Sequence, residues 1–191
     1  MAKLREFEHV MTQVPLMEYE MKQGFQMIAL AQHYGMCTDY VDFSGSFAVA
    51  LFFATCTIDR KTKRYRPMNH REISKSPTGS IYMAPMSMVP LDDLEIIGFS
   101  SVNRPSLQHG FLVHDHGNGN MEPYTHQMTF RHSIRLSNEM FRFFDKGKAL
   151  FPEVDSDSIS HLANVIMNSK TIYRRFIIEA CREMGLDCTE V

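Results

Sequence analysis

The sequence contains no tryptophan, and neither sign of charge dominates it. Its 20 Lys and Arg residues nearly balance 22 Asp and Glu residues, which leaves a formal net charge of -2. Such a chain has no overall electrostatic attraction to polyanions. We therefore expect neither nucleic acid nor a membrane surface among its partners.

Long apolar runs and closely spaced cysteines are also missing. The longest apolar run, Phe47 to Ala54, is far shorter than the roughly 20 residues that a membrane-spanning helix needs. The chain does not open with a basic segment followed by an apolar one, as a secretory leader would. None of its four cysteines stands in a CxxC pair, so we expect reduced thiols and a cytoplasmic protein.

What the sequence does contain suits one domain over residues 1–191. Hydrophobic residues make up 44% of the chain, with 14 Phe and 15 Met, enough for a sizeable core. Apolar residues recur at helical spacing over residues 3–34, with an interruption at Pro15, and again from Asn138 onward. The segments between them read mainly as strands, including residues 38–43 and Thr129 to Leu136, and residues 60–79 read as a loop.

These patterns predict an α+β fold with a helical N-terminal part, a central mixed β-sheet around a buried helix, and C-terminal helices. The buried helix is predicted from about Ser46 to Cys56, with Ser44 as its N-cap. Because this helix is apolar nearly all round, we expect four of its side chains to be buried. They are Phe47, Val49, Leu51 and Phe52.

Three collinear blocks resemble the FRG domain, a bacterial intracellular module. The first block contains Gln-His-Tyr-Gly at residues 32–35 and continues through Asp42 and Ser44 to Ala-Leu-Phe-Phe-Ala at residues 50–54. The second block runs from Arg104 to Phe111. The third block is Ala-Leu-Phe-Pro-Glu-Val-Asp at residues 149–155. The resemblance covers roughly residues 29–168. The tripeptide Phe-Arg-Gly that names the family does not occur, so we expect a divergent member or a chain that begins inside the domain.

The resemblance implies an effector or sensor module in a bacterial conflict or defence system, with a nucleotide or small molecule as ligand. The layout is also similar to that of ADP-ribosyltransferases, which makes NAD or another nucleotide the candidate cofactor and leaves open whether the chain is an enzyme. The alternative is a non-catalytic module that binds a protein partner.

Two residues of the first block are the candidate catalytic groups. His33 can transfer a proton or contact a ligand, or its ring can cap a carbonyl at a helix end. Asp42 follows an aliphatic residue in a predicted strand, so we expect it to be half-buried. It can orient His33 or a ligand hydroxyl, but a structural role as acceptor for the N–H groups of residues 44–46 is favoured.

The candidate ligand-binding residues are Thr38, Ser44, Arg104 and Gln108. Thr38 and Ser44 take this role from the transferase-like layout. The Arg104 fork can bind phosphate or carboxylate, and the Gln108 amide can contact a base or ribose; the alternative is a surface ion pair and a loop tie. We expect His33 or Asp42 to lie within about 10 Å of Arg104 or Gln108, as one ligand pocket requires.

Two further patterns favour structural interpretations. The triplet His114-Asp115-His116 can suggest a metal, but glycines and asparagines follow it and no further ligand stands at a metal-binding spacing. We therefore expect no metal site. Residues 60–66 carry five positive charges, which we interpret as a solvated loop rather than a nucleic-acid contact, since no series of aromatic residues accompanies them.

Overall fold

The structure is a computed structural model that describes residues 2–22, 26–115, 125–151, 158–183 and 185. Helices and small antiparallel sheets together make an α+β protein, as the sequence predicts. The chain divides into two compact units. The first comprises Met1–Thr38, Ser100–Val102 and Val154–Val191, and the second comprises Asp39–Phe99 and Asn103–Glu153.

The first unit is helical. Its helices are α1 (Ala2–Met11), α2 (Pro15–Lys22), α3 (Met27–His33), α8 (Ser158–Asn168) and α9 (Arg174–Glu183). Pro15 begins α2, where its missing N–H costs nothing, and the predicted second helix is divided between α2 and α3. Phe7, Met11, Met17 and Leu30 are fully buried in one apolar core, which confirms the apolar stripe read from the sequence.

The end of α3 is a Schellman motif. Gly35 has a φ of +93°, in the left-handed region that glycine adopts without strain. The N–H of Met36 donates to the Ala31 carbonyl at 3.0 Å, and the N–H of Gly35 donates to the Gln32 carbonyl at 2.8 Å. Backbone groups therefore cap these two carbonyls at the end that carries His33.

The second unit contains the strands. They are β1 (Tyr40–Ser44), β2 (Cys56–Ile58), β3 (Tyr65–Pro67), β4 (Thr78–Met83), β5 (Leu94–Ile96), β6 (Gly110–His114) and β7 (His126–Arg131). Among the described residues they form three separate sheets, β1-β6-β5, β2-β3 and β4-β7, and every pairing is antiparallel. The single mixed sheet expected from the sequence is therefore wrong.

Four α-helices, beside short 3-10 helices, complete the described part of the second unit. They are α4 (Phe47–Thr55), α5 (His70–Lys75), α6 (Asn103–Leu107) and α7 (Ile134–Phe143). The predicted loop over residues 60–79 contains β3 and α5, and α5 begins with a capping box between Asn69 and Glu72. The strand predicted from Thr129 to Leu136 ends at Arg131, because Ser133 caps α7 by accepting the Leu136 N–H.

The apolar helix α4 is only partly buried. Val49 is 2% exposed and Phe52 is fully buried, but Leu51 is half-buried and Phe47 is 53% exposed. The prediction that all four are buried is thus wrong for Phe47 and Leu51. A sequence that is apolar all round does not reveal which face meets the core.

The cysteines differ from one another in state. Cys37 is an exposed free thiol and Cys56 is a buried free thiol, whereas Cys181 is disulfide-bonded, which contradicts the expectation that all thiols are reduced. Burial raises the pKa of Cys56, and hydrogen bonds with Thr55 and Ser137 oppose that increase. No helix among the described residues is both long and apolar enough to cross a bilayer.

Candidate functional site

Three aromatic rings of the second unit form the base of the candidate site. Tyr65, the first residue of β3, stacks on Phe151 with ring centroids 5.0 Å apart and planes 21° apart. Phe53 of α4 meets the edges of both rings, at 5.5 Å from Tyr65 and 6.0 Å from Phe151. The Phe53 side chain is 36% exposed to solvent, so this group of rings reaches the surface.

Arg104 of α6 adds a positive charge to these rings. Its guanidinium carbon lies 5.0 Å from the centre of the Phe151 ring, a cation–π arrangement that orients the planar fork. Phe53, Tyr65, Arg104 and Phe151 are called the Arg104 cluster below.

Burial and charged side chains together shift the pKa of the Tyr65 phenol group. Burial is the main cause that raises the pKa of Tyr65. The positive charge of Arg104 lowers the pKa of Tyr65, while Cys56 and Asp42 add smaller increases. Both Asp42 and Arg104 therefore act electrostatically on the same phenol group.

Two hydrogen bonds hold the segments of this site together. The Ser44 hydroxyl donates to the Gln108 carbonyl at 2.8 Å, which ties the end of β1 to the end of α6. The Gln108 side-chain amide donates to the Leu150 carbonyl at 2.8 Å, and Gln108 is only 5% exposed. These bonds position Phe151, since it follows Leu150 directly.

Within the second unit, Ser44 of the first block thus meets the second block and the described part of the third. Ser44 contacts Gln108, and Gln108 contacts Leu150, while Arg104 contacts Phe151. Pro152 to Asp155 of the third block lie outside the described residues.

Several expectations for these residues need correction. Asp42 is exposed rather than half-buried. The Gly45 N–H donates to the His109 carbonyl at 2.8 Å, and the Ser46 N–H donates to the Ser44 hydroxyl at 3.1 Å. Groups other than Asp42 thus accept the N–H groups of Gly45 and Ser46, and the N-cap of α4 is Ser46 instead of Ser44.

His33 and Thr38 lie in the first unit. His33 is the last residue of α3, 8% exposed, with its ring edge-on to Tyr34 at 6.4 Å between centroids. The Thr38 hydroxyl donates to the Gln32 side-chain oxygen at 2.6 Å. Of the candidate residues in the second unit, Ser44, Arg104 and Gln108 take part in the contacts above, and Asp42 acts electrostatically on Tyr65.

The sequence patterns do not single out Tyr65 or Phe53 as site residues. They place Tyr65 in a charged loop and Phe53 in an apolar helix. The one available signal was the isolated aromatic residue between Arg64 and Arg66. Nothing in the local sequence indicates that this ring stacks on Phe151, which lies 86 positions later.

The histidine triplet does not build a metal centre in the part of the chain that the structure describes. The His114 ring nitrogen lies 2.7 Å from an Asp39 carboxylate oxygen, and its ring meets Tyr40 at 5.2 Å. No group of three or more metal-ligating side chains occurs among the described residues. His116 lies outside them.

The fold and the site thus define the chain as an α+β protein with a cluster of aromatic rings and one arginine. Residues 1–63 match the family model of the FRG domain, which confirms the resemblance over one third of the 191-residue chain. The match includes His33, Thr38, Asp42 and Ser44. No curated protein and no solved structure matches the chain.

Proposed function

We propose that the chain is a nucleotide-binding module whose ligand contacts the Arg104 cluster. The observation that carries this proposal is the placement of one guanidinium and three aromatic rings at the junction of three chain segments, with the Asp42 carboxylate acting electrostatically on one of these rings. NAD or another nucleotide is the ligand class. An ADP-ribosyltransferase-like reaction and a role as effector or sensor in a bacterial conflict system are the finer parts of the proposal.

The chemistry of the cluster suits each part of a nucleotide. The Arg104 guanidinium has five N–H donors in a planar fork, and such forks bind phosphate oxygens in pairs. The partly exposed ring of Phe53 is an aromatic group on which a base can stack. The exposed Asp42 carboxylate can accept hydrogen bonds from ribose hydroxyls.

Thermal unfolding with a panel of nucleotides tests the proposal. NAD, ADP-ribose, ATP and GMP would each be added at increasing concentration to the purified chain. A ligand present at one hundred times its dissociation constant adds roughly 2.7 kcal/mol to stability, and a shift of this kind is expected with at least one nucleotide. Isothermal titration with that nucleotide then gives its affinity.

Variants of Arg104 distinguish ligand binding from general stability. Arg104→Lys keeps the charge but removes the fork, and it should weaken nucleotide binding by about tenfold or more. Arg135→Ala is the matched control, because Arg135 is 87% exposed and pairs with Glu139 on the surface of α7. Equal nucleotide affinity in wild type and Arg104→Lys would contradict the proposed role of the cluster.

The alternative is a non-catalytic protein-interaction module. It is favoured by large apolar side chains on the surface of the second unit, above all Phe99 at 85% and Leu91 at 79% exposure. This alternative predicts that no nucleotide changes the melting temperature.

A further inference from the structure

The second unit also contains an apolar pocket of about 300 Å³. It lies between one face of the β1-β6-β5 sheet, strand β4 and the start of α4. Aromatic rings and methionines make up much of its lining, namely Phe43, Phe47, Tyr82, Met83, Met86 and Phe111.

Strand register explains why this face is apolar. Phe43 of β1 stands directly opposite Phe111 of β6, and Val113 of β6 stands directly opposite Leu94 of β5. Side chains alternate between the two faces of a strand, so Asp42 points to the face opposite the one that carries Phe43. The pocket is therefore separate from the position that Asp42 occupies in the candidate nucleotide site.

Gly45 keeps the wall of the pocket in place. A Cβ atom at position 45 would lie 2.8 Å from a ring carbon of Phe111. A larger residue at this position would force the Phe111 ring to shift. The sequence thus provides room for an aromatic wall directly after β1.

The lining selects against charge. None of the described residues that line the pocket is ionised at neutral pH. Ser44 is a lining residue, but its hydroxyl already donates to the Gln108 carbonyl and accepts the Ser46 N–H. A phosphate or carboxylate buried here would lose its hydration without gaining a cationic partner.

The surface-exposed part of the lining is apolar and adaptable. Phe47, Met83 and Met86 are 53%, 44% and 52% exposed. Methionine adjusts its shape to a ligand, and its sulfur makes favourable contacts with aromatic rings. Phenylalanine rings add edge and face contacts to another ring. These properties favour a flat aromatic ligand over a polar one.

We infer that this pocket is a second binding site, for a neutral aromatic molecule of one or two fused rings. Its volume corresponds to about ten water molecules at roughly 30 Å³ each, which is the size of such a ring system. The site takes no part in the proposed nucleotide chemistry, and binding here requires no charged residue.

The neutral fluorescent probe 6-propionyl-2-(dimethylamino)naphthalene, which is built on two fused rings, tests the inference. Its emission should increase and shift to the blue with the purified chain, and both naphthalene and indole should displace it. Two variants fill the pocket from different sides, Ala50→Leu on α4 and Ala84→Leu just after β4. Each should weaken probe binding by about tenfold or more, and two variants keep the test valid if one fails to fold.

The exposed Ala149 supplies the matched control. Ala149→Leu adds the same side chain outside the pocket and should leave probe binding unchanged. Absence of a saturable signal with wild type would overturn the inference, and so would equal binding to wild type and both filling variants. Nucleotide affinity measured on the same variants separates the two proposals, because only the Arg104 cluster should govern it.

Discussion

Replacement of Phe52 by alanine should destabilise the second unit more than any other change in α4. Phe52 is fully buried and packs edge-on against Phe144 at 5.4 Å and at a tilt against Tyr65 at 5.3 Å between ring centroids. A Phe→Ala change at such a site costs about 3–5 kcal/mol, through lost transfer energy and the cavity that remains. The two ring pairs place Phe52→Ala toward the upper part of that range.

The matched comparison is Phe47→Ala on the same helix. Full burial of a phenylalanine side chain is worth about 1.5–3 kcal/mol. Since Phe47 is 53% exposed, its removal should cost about half of that and leave no closed cavity. For a chain of this size, 1 kcal/mol corresponds to roughly 2–4 °C in melting temperature, so we expect a decrease of about 6–20 °C for Phe52→Ala and below about 6 °C for Phe47→Ala.

Urea unfolding followed by circular dichroism gives the two free energies of unfolding, and differential scanning calorimetry gives the melting temperatures. Phe52→Leu is a useful intermediate, because it keeps most of the apolar volume and should recover more than half of the loss. Equal destabilisation by Phe52→Ala and Phe47→Ala would refute the reasoning, since it would mean that both faces of α4 are packed alike.

Three further predictions concern a surface ion pair, a helix cap and metal content. The Arg66 side chain holds the pKa of Glu72 at about 2, so the Glu72 carboxylate stabilises the fold above pH 4.5 and loses that effect as the pH falls toward 2. Because the ion pair is exposed, Glu72→Gln should cost up to about 1 kcal/mol at pH 7. The difference in urea midpoint between this variant and wild type should vanish near pH 2. Ser46→Ala should lower the free energy of unfolding by about 1 kcal/mol, because it removes the acceptor for the Val49 N–H. Ser46→Gly should retain most of the wild-type stability. Equal stability of Ser46→Ala and wild type would exclude the cap. Elemental analysis of the purified chain should find no stoichiometric zinc, and close to one zinc per chain would overturn the expectation drawn from its cysteine and histidine spacing.

Local patterns in the sequence were enough to predict the fold class, much of the first unit and the family resemblance. The apolar spacing around Phe7 and Met11 and the helix end at Gly35 depend on neighbours within a few positions, and such signals are visible in one stretch of sequence. The block around residues 32–44 is also local, and the family match over residues 1–63 confirms it. The capping box of Asn69 and Glu72 is equally local, although it lies in a polar segment that is predicted as a loop.

Contacts between distant segments were decided only by the tertiary structure. The buried face of α4 depends on which rings approach it, so the uniform apolarity of the helix could not separate Phe52 from Phe47. The stacking of Tyr65 on Phe151 and the bond from Gln108 to Leu150 join segments more than 40 positions apart. Strand register and the paths of the loops determine which of these residues meet. Neither produces a periodic pattern in the sequence, because each residue of a pair fits its own local segment whatever its partner is.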